Sequence, residues 1–150
     1  MSHIVVGVDG SECSKPAFRF AAEEAALRGE PLRAVSVWQV PVTVYSGPVY
    51  AVPLDPEIYS EAAREAAQKQ IDEVADSAGE VEVELVVREG GAAHVLIEES
   101  SSATMLVVGS RGHGGFTGLL LGSVSQQCAA HARCPVVIVH DDSAAPPGGE

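Results

Sequence analysis

The sequence lacks the features that mark several classes of protein. None of its 150 residues belongs to an apolar run of about 18, the length that would indicate a membrane-spanning helix. Positive charge is scarce, because the chain has 9 Lys and Arg but 21 Asp and Glu, which gives a net charge of −12. A nucleic-acid backbone requires a basic surface, so this balance argues against nucleic acid as a partner. The three cysteines, Cys13, Cys128 and Cys134, have no zinc-like spacing, and we interpret them as reduced and structural.

The N-terminal residues lack an export signal, and the C-terminal residues have a composition typical of disorder. The first residues, MSHIVVGVDGS, enter an apolar strand at once, without a basic region and a signal-peptide core. We therefore expect a cytoplasmic protein. Residues 141–150 combine Pro-Pro-Gly-Gly with acidic residues, which predicts a disordered acidic tail after one domain at 1–140. With 46% apolar residues, that domain is long enough to bury a core.

Strand and helix signals alternate along the chain. Valine-rich apolar runs predict buried strands at 3–8, 32–38, 105–108 and 136–139, and an alternating run at 81–87 predicts an edge strand. Helical patterns occupy 14–28, 55–78, a short stretch near 93–97, and 123–132. This order favours an α/β fold, in which helices cover both faces of a parallel sheet. The irregular segment 39–54 would cover the edge of a pocket or a subunit contact.

The densest cluster of glycine follows the fourth predicted strand, in Gly109 to Ser125, GSRGHGGFTGLLLGSVS. Five of its first ten residues are glycine, which lets a ligand approach the main chain closely. Ser123-x-x-Gln126 predicts a capping box at the start of the next helix. Strand, loop and helix start together are typical of an anion site, where free N–H groups and the positive end of the helix dipole converge. The alternative is a glycine-rich surface turn without a ligand.

Two widespread glycine motifs do not fit this loop. A P-loop requires a lysine where Gly114-Gly115-Phe116 has none, and the dinucleotide fingerprint requires glycine at Thr117. What remains is Gly-x2-Gly-x9-Gly-Ser, with its fixed residues at Gly109, Gly112, Gly122 and Ser123.

This spacing resembles the signature of the ATP-binding branch of the universal stress protein family, G-x2-G-x9-G-S/T. The V-D-G-S at residues 8–11 is similar to the family's first-strand motif, and the resemblance extends from about Ile4 to Val139. It implies a three-layer sandwich with a five-stranded parallel sheet in the order 3-2-1-4-5. Strand order would then reverse between the first and fourth strands, where open α/β sheets bind ligands. Asp9 ends the first of these strands, and Gly109 starts the loop after the fourth.

The resemblance also implies particular contacts with the nucleotide. The loop 109–115 would wrap the ribose and phosphates, the start of the last helix would bind phosphate, and the main chain of Val37 would read adenine. The complete candidate set for nucleotide binding is Gly7, Asp9, Ser11, Val37, Gly109, Ser110, Arg111, Gly112, His113, Gly114, Gly115, Gly122, Ser123, Val124 and Ser125. No catalytic residue is assigned, and Mg²⁺ would be held mainly by the phosphates. Asp9 could instead shape a turn, Arg111 could be solvated, and Gly7 could serve tight packing.

Three functions follow from these patterns. The first is an ATP-binding regulatory stress-response protein, in which occupancy by ATP, ADP or AMP alters homodimerisation or the binding of a regulatory protein partner. The resemblance places the dimer contact on the last strand, Val136 to Val139, which could also be an ordinary edge strand. The second is slow ATP hydrolysis or phosphoryl transfer, for which the loop offers no lysine, no base other than Asp9 and no arginine beyond Arg111. The third is a ligand-free interaction module.

Overall fold

The computed structural model describes residues 2–40, 55–111 and 121–140, with the backbone alone for 75–78. Within these ranges, strands and helices alternate as predicted: β1 (Ile4–Gly7), α1 (Lys15–Arg28), β2 (Leu32–Trp38), α2 (Pro56–Ala78), β3 (Val83–Glu89), α3 (Ala92–Glu99), β4 (Met105–Gly109), α4 (Ser123–His131) and β5 (Val136–Val139). A short 3-10 turn, Glu12–Ser14, precedes α1 and was not predicted. The proposed tail at 141–150 and most of the segment 39–54 lie outside the described residues.

The five strands form one parallel sheet in the order β3-β2-β1-β4-β5, which confirms the predicted fold. β1 is central, and Ile4 lies in register with Leu32 of β2 on one side and Met105 of β4 on the other. Strand order therefore reverses between β1 and β4. β3 forms one edge of the sheet, as its alternating sequence predicted, and β5 forms the other.

Alternate residues of β1 point into two separate apolar layers, which makes the structure a three-layer sandwich. Ile4 and Val6 are fully buried on the face covered by α1 and α2. Val5 is fully buried on the opposite face, among residues of α3 and α4. None of the described helices combines the length and apolar character that crossing a bilayer would require.

The helix ends follow local signals closely. Gly29 ends α1 with a φ of 66°, a left-handed conformation that glycine adopts without strain. Asp55 followed by Pro56 predicts the cap and first residue of α2, and this is confirmed, because the Asp55 carboxylate accepts the N–H of Glu57 at 3.0 Å. Ser14 occupies the cap position of α1, but its hydroxyl donates to the carbonyl of Ser11 instead of accepting from the helix.

The buried face of α2 differs from the predicted one. The four-residue spacing of Ile58, Ala62 and Ala66 predicts that these residues face the core, yet all three are exposed, and Ile58 retains 51% of its accessible surface. The buried positions include Ala67 and Ile71. A spacing of four residues drifts around a helix of 3.6 residues per turn, so Ile58 lies about 170° from the buried face. The first part of the predicted stripe was therefore wrong.

Candidate functional site

The turn after β1 and the end of β4 lie against each other at the carboxyl edge of the sheet. A Cβ atom built on Gly109 would lie 3.0 Å from the carbonyl oxygen of Cys13 and 3.3 Å from that of Arg111. Only a residue without a side chain permits this approach of two backbones. The candidate segments that begin at Asp9 and at Gly109 are thus neighbours at the point where strand order reverses.

Asp9 shapes the turn that follows β1. Its Oδ1 accepts the backbone N–H of Ser11 at 2.9 Å and also the hydroxyl of Ser11. Gly10 between them has a φ of 80°. These contacts support the turn interpretation of Asp9 and fix Ser11 beside it.

A residue that sequence analysis missed, Gln70 of α2, holds the same turn from behind. Its Oε1 accepts the N–H of Gly10 at 3.0 Å, and its Nε2 donates to the Ser14 hydroxyl at 2.6 Å. Gln70 is only 2% exposed. The signal that could have found it is a glutamine between two apolar positions of the same helix face, Ala67 and Ile71.

Ser110 joins the end of β4 to β5 and to the start of α4. Its N–H donates to the carbonyl of Val139 at 2.9 Å. Its carbonyl accepts the N–H of Gly122 at 2.6 Å and the hydroxyl of Ser125 at 3.0 Å. Ser110 and Ser125 are each 2% exposed, so this junction is buried.

The predicted capping box at the start of α4 is wrong. Gly122 is the N-cap, with φ −73° and ψ 169°, and Ser123 is the first helical residue. The side chain of Gln126 donates to the carbonyl of Leu121 at 2.8 Å, so it does not reach back to a cap N–H. A glycine cap leaves no side-chain oxygen over the first N–H groups of the helix.

The first turn of α4 consequently has backbone donors that no side chain of its cap residue covers. The N–H groups of Ser123, Val124 and Ser125 have no acceptor within the helix, because the ladder begins with the N–H of Gln126 on the carbonyl of Gly122. The hydroxyl of Ser125 is engaged by two carbonyls and is not available for a ligand. Ser123, by contrast, is an exposed residue.

Two further candidates, Gly7 and Val37, lie in the strands. A Cβ on Gly7 would lie 3.1 Å from Leu96 of α3, so close packing alone explains this glycine. Val37 lies in β2 two residues beyond Val35, which is the last β2 residue in register with β1. The carbonyl of Val35 accepts the N–H of Val8, and backbone groups alternate in direction along a strand, so those of Val37 also point towards the β1 side.

The positive charges near the site are unequal in availability. Lys15 forms ion pairs with Glu12 and with Glu73, both at 2.8 Å, and these contacts raise the pKa of the Lys15 ammonium group. Arg111 is partly buried at the end of the described loop. Gly112, His113, Gly114 and Gly115 lie outside the described residues, and their assignments remain predictions.

The sheet order and the helices on both faces define a doubly wound α/β protein, a class that binds its ligands where strand order reverses, here between β1 and β4. The family model described as "Universal stress protein family" matches residues 1–140. The chain therefore belongs to the universal stress protein family. A universal stress protein of Mycolicibacterium smegmatis is 42% identical over 147 residues, which are 95% of this chain and 49% of that protein. The chain spans about half the length of the curated relatives it matches.

Solved structures of the family include nucleotide complexes. A universal stress protein in complex with cAMP is 28% identical, with a TM-score of 0.69 over 93% of this chain and 96% of that one. The universal stress protein from Archaeoglobus fulgidus in complex with dAMP is 26% identical, with a TM-score of 0.63 over 92% of this chain and 97% of that one.

Proposed function

We propose that this chain binds an adenine nucleotide (ATP, ADP or AMP) in the crevice between β1 and β4, as a regulatory stress-response protein. The observation that carries the proposal is the convergence of the β1 turn, the end of β4 and the start of α4, the last two joined through Ser110. The family members solved with cAMP and dAMP support an adenine nucleotide as the ligand.

The start of α4 supplies the phosphate site. Its first N–H groups and the positive end of the helix dipole favour an anion by about 0.3–1 kcal/mol per charge at an exposed site. Gly122, as the cap, has no side chain that could cover those donors. Mg²⁺ would accompany a triphosphate and be held mainly by its phosphate oxygens. Arg111 adds a cation beside the loop.

The proposal includes homodimerisation through β5. The carbonyl of Pro135 accepts a bond from β4, and that of Val139 accepts one from Ser110 just after β4. The alternate residues Val136 and Ile138 therefore direct their backbone groups outward, towards the open edge of the sheet. A second copy of β5 could pair with those groups in antiparallel fashion. Ser110 joins the start of α4 to Val139, and through it nucleotide occupancy would affect this edge or a regulatory protein partner.

We do not extend the proposal to phosphoryl transfer. Asp9 was the candidate general base, and its Oδ1 already accepts two hydrogen bonds from Ser11. No contact of the described residues favours a catalytic role for this carboxylate over its role in the turn.

The location of the site can be tested with Gly122→Glu. The backbone at Gly122 has a φ of −73°, which any residue adopts, so the added carboxylate should repel phosphate without straining the helix start. Gly91→Glu is the matched control, because Gly91 caps α3 with a φ of −75°. We expect ATP binding, followed by the amide NMR signals of residues 9–11 and 121–125, to be lost in Gly122→Glu and kept in Gly91→Glu. A folded Gly122→Glu protein that retains its ATP affinity would rule out this phosphate site.

The dimer contact can be tested with Ile138→Pro. Proline removes an outward N–H and obstructs strand pairing at the edge while leaving the β4 ladder intact. Ile138→Ala is the control, because it loses the same apolar side chain but keeps the N–H. Sedimentation with and without ATP should show a dimer in the alanine variant and a monomer in the proline variant. Equal dimerisation of both variants would exclude pairing through β5.

A further inference from the structure

We propose that Gln70 is a positioning residue for adenine recognition. By accepting the N–H of Gly10, it ends the β1–β2 ladder one step early and leaves the carbonyl of Val37 facing the nucleotide crevice. The inference rests on the proposed nucleotide function and identifies what makes that site prefer adenine.

The contacts of Gln70 are those of a fixed group. Both ends of the amide are used, with Oε1 3.0 Å from the Gly10 nitrogen and Nε2 2.6 Å from the Ser14 hydroxyl. The side chains of Gln70 and Ser14 are buried, with 2% and 5% of their residue surface exposed. The Ser14 hydroxyl in turn donates to the carbonyl of Ser11 at 3.0 Å. One buried amide therefore connects α2 to both ends of the turn.

α2 also limits where this turn can lie. A Cβ on Gly10 would lie 3.1 Å from the Cβ of Ala66, one helical turn before Gln70. Gly10 has a φ of 80°, a backbone conformation that other residues rarely adopt. This conformation sets the direction of its N–H group. The ion pair of Lys15 with Glu73 fixes α1 against α2 beside the same contact. The turn is held by packing as well as by hydrogen bonds.

The register of β1 and β2 shows what Gln70 prevents. The N–H of Val8 donates to the carbonyl of Val35 at 2.9 Å. In a continued parallel ladder, the next donor would be the N–H of Gly10 and its acceptor the carbonyl of Val37. The N–H of Gly10 donates to Gln70 instead. The carbonyl of Val37 therefore points to the crevice side without that donor.

A backbone carbonyl in this position distinguishes the two purine bases. It can accept a hydrogen bond from the 6-amino group of adenine, whereas the 6-oxo group of guanine would place two acceptors against each other. A binding site rejects the wrong ligand strongly when its hydrogen-bond acceptor would face another acceptor instead of a donor. Gln70 would thus set base preference without touching the base.

The test replaces Gln70 by methionine, which is similar in size and flexibility but cannot donate to Ser14 and offers Gly10 only a weak sulfur acceptor. The matched control is Gln68→Met on the same helix, where an exposed glutamine donates to Asp72 at 2.9 Å. Affinities for ATP and GTP are measured by calorimetry, and the exchange rate of the Gly10 amide by NMR. We expect Gln70→Met to weaken ATP binding about tenfold and to reduce the preference for ATP over GTP. Hydrogen exchange of the Gly10 amide should become about tenfold faster. Both factors correspond to the loss of a hydrogen bond of ordinary strength. Gln68→Met should match the wild type.

The outcomes separate this inference from the function on which it rests. A native wild-type protein that binds no adenine nucleotide would refute the proposed function. A wild type that binds ATP, together with a folded Gln70→Met variant of unchanged affinity and base preference, would overturn the role of Gln70 alone. Unchanged Gly10 exchange in that variant would overturn it as well.

Gln70→Glu provides a pH profile that simple space filling would not produce. As a neutral acid, the new side chain can still accept from Gly10 and donate to Ser14, but its ionised form cannot donate. Burial favours the neutral form, so the ratio of variant to wild-type ATP affinity should fall as pH rises. The other charged groups at this contact, Asp9 and the Lys15–Glu73 pair, are the same in both proteins. A ratio independent of pH would contradict the proposed hydrogen bonds.

Discussion

Gly109→Ala perturbs the point where the two halves of the site touch. The new Cβ would lie 3.0 Å from the carbonyl oxygen of Cys13 and 3.3 Å from that of Arg111. Both atoms belong to the backbone, so neither can rotate away as a flexible side chain would. Either the end of β4 or the turn before α1 must move.

The expected size of the effect follows from two opposing terms. Overpacking of this kind costs about 2 kcal/mol, whereas the loss of glycine's freedom in the unfolded chain returns about 0.7 kcal/mol. The net loss of about 1.3 kcal/mol in unfolding free energy corresponds to a fall in Tm of roughly 3–5 °C for a domain of this size.

Thermal and urea unfolding of Gly109→Ala would measure this loss, with Gly91→Ala as the control. Gly91 is also a non-left-handed glycine, but no atom lies within 4 Å of its added Cβ. Its entropy gain is offset by a few tenths of a kcal/mol at the helix cap, so its Tm should stay within about 1 °C. The reasoning is refuted if Gly109→Ala is as stable as Gly91→Ala, because the two backbones would then not be in close contact.

Three further perturbations test other parts of the structure. Asp55→Ala removes the cap of α2 and should lower the unfolding free energy by about 1 kcal/mol, measured by urea denaturation against wild type. Glu99→Gln removes a carboxylate that lies 3.3 Å from Arg33 and 3.1 Å from Arg88. The unfolding free energy should fall by about 1 kcal/mol at low salt and by less in 1 M salt. Equal falls at both salt concentrations would argue against an ionic contribution. Burial raises the pKa of the Cys128 thiol from 9.0 to about 11, so folding stability should fall between those pH values, where the unfolded state loses the proton first. Cys128→Ala should lack this part of the pH dependence, and alkylation of Cys128 should require unfolding.

The sequence was most informative where a structural signal is local. Asp55 followed by proline marked the start of α2, and Gly29 marked the end of α1, because capping depends on residues only a few positions apart. The valine-rich strands were recognisable because both faces of a parallel sheet are buried. The sheet order came from the family resemblance, since nothing in the strands themselves specifies which neighbours they choose.

Tertiary contacts decided what local patterns could not. Ser123 and Gln126 have the spacing of a capping box, yet the backbone bond from Gly122 to Ser110 makes the glycine the cap. Gln70 lay unnoticed within an amphipathic helix, because its partners Gly10 and Ser14 are distant in sequence. When a site is built from separate strand ends, the sequence shows only its motifs. The residues that support those motifs are identified from the three-dimensional structure.

The most direct test of the central claim is calorimetric titration of ATP, with and without Mg²⁺, into protein freed of nucleotide by unfolding and refolding. GTP titrated under the same conditions provides the comparison of bases. The account predicts binding in the micromolar range for ATP and weaker binding for GTP. Refolded protein with native circular dichroism and no heat of ATP binding would contradict it and would make the glycine loop a structural turn.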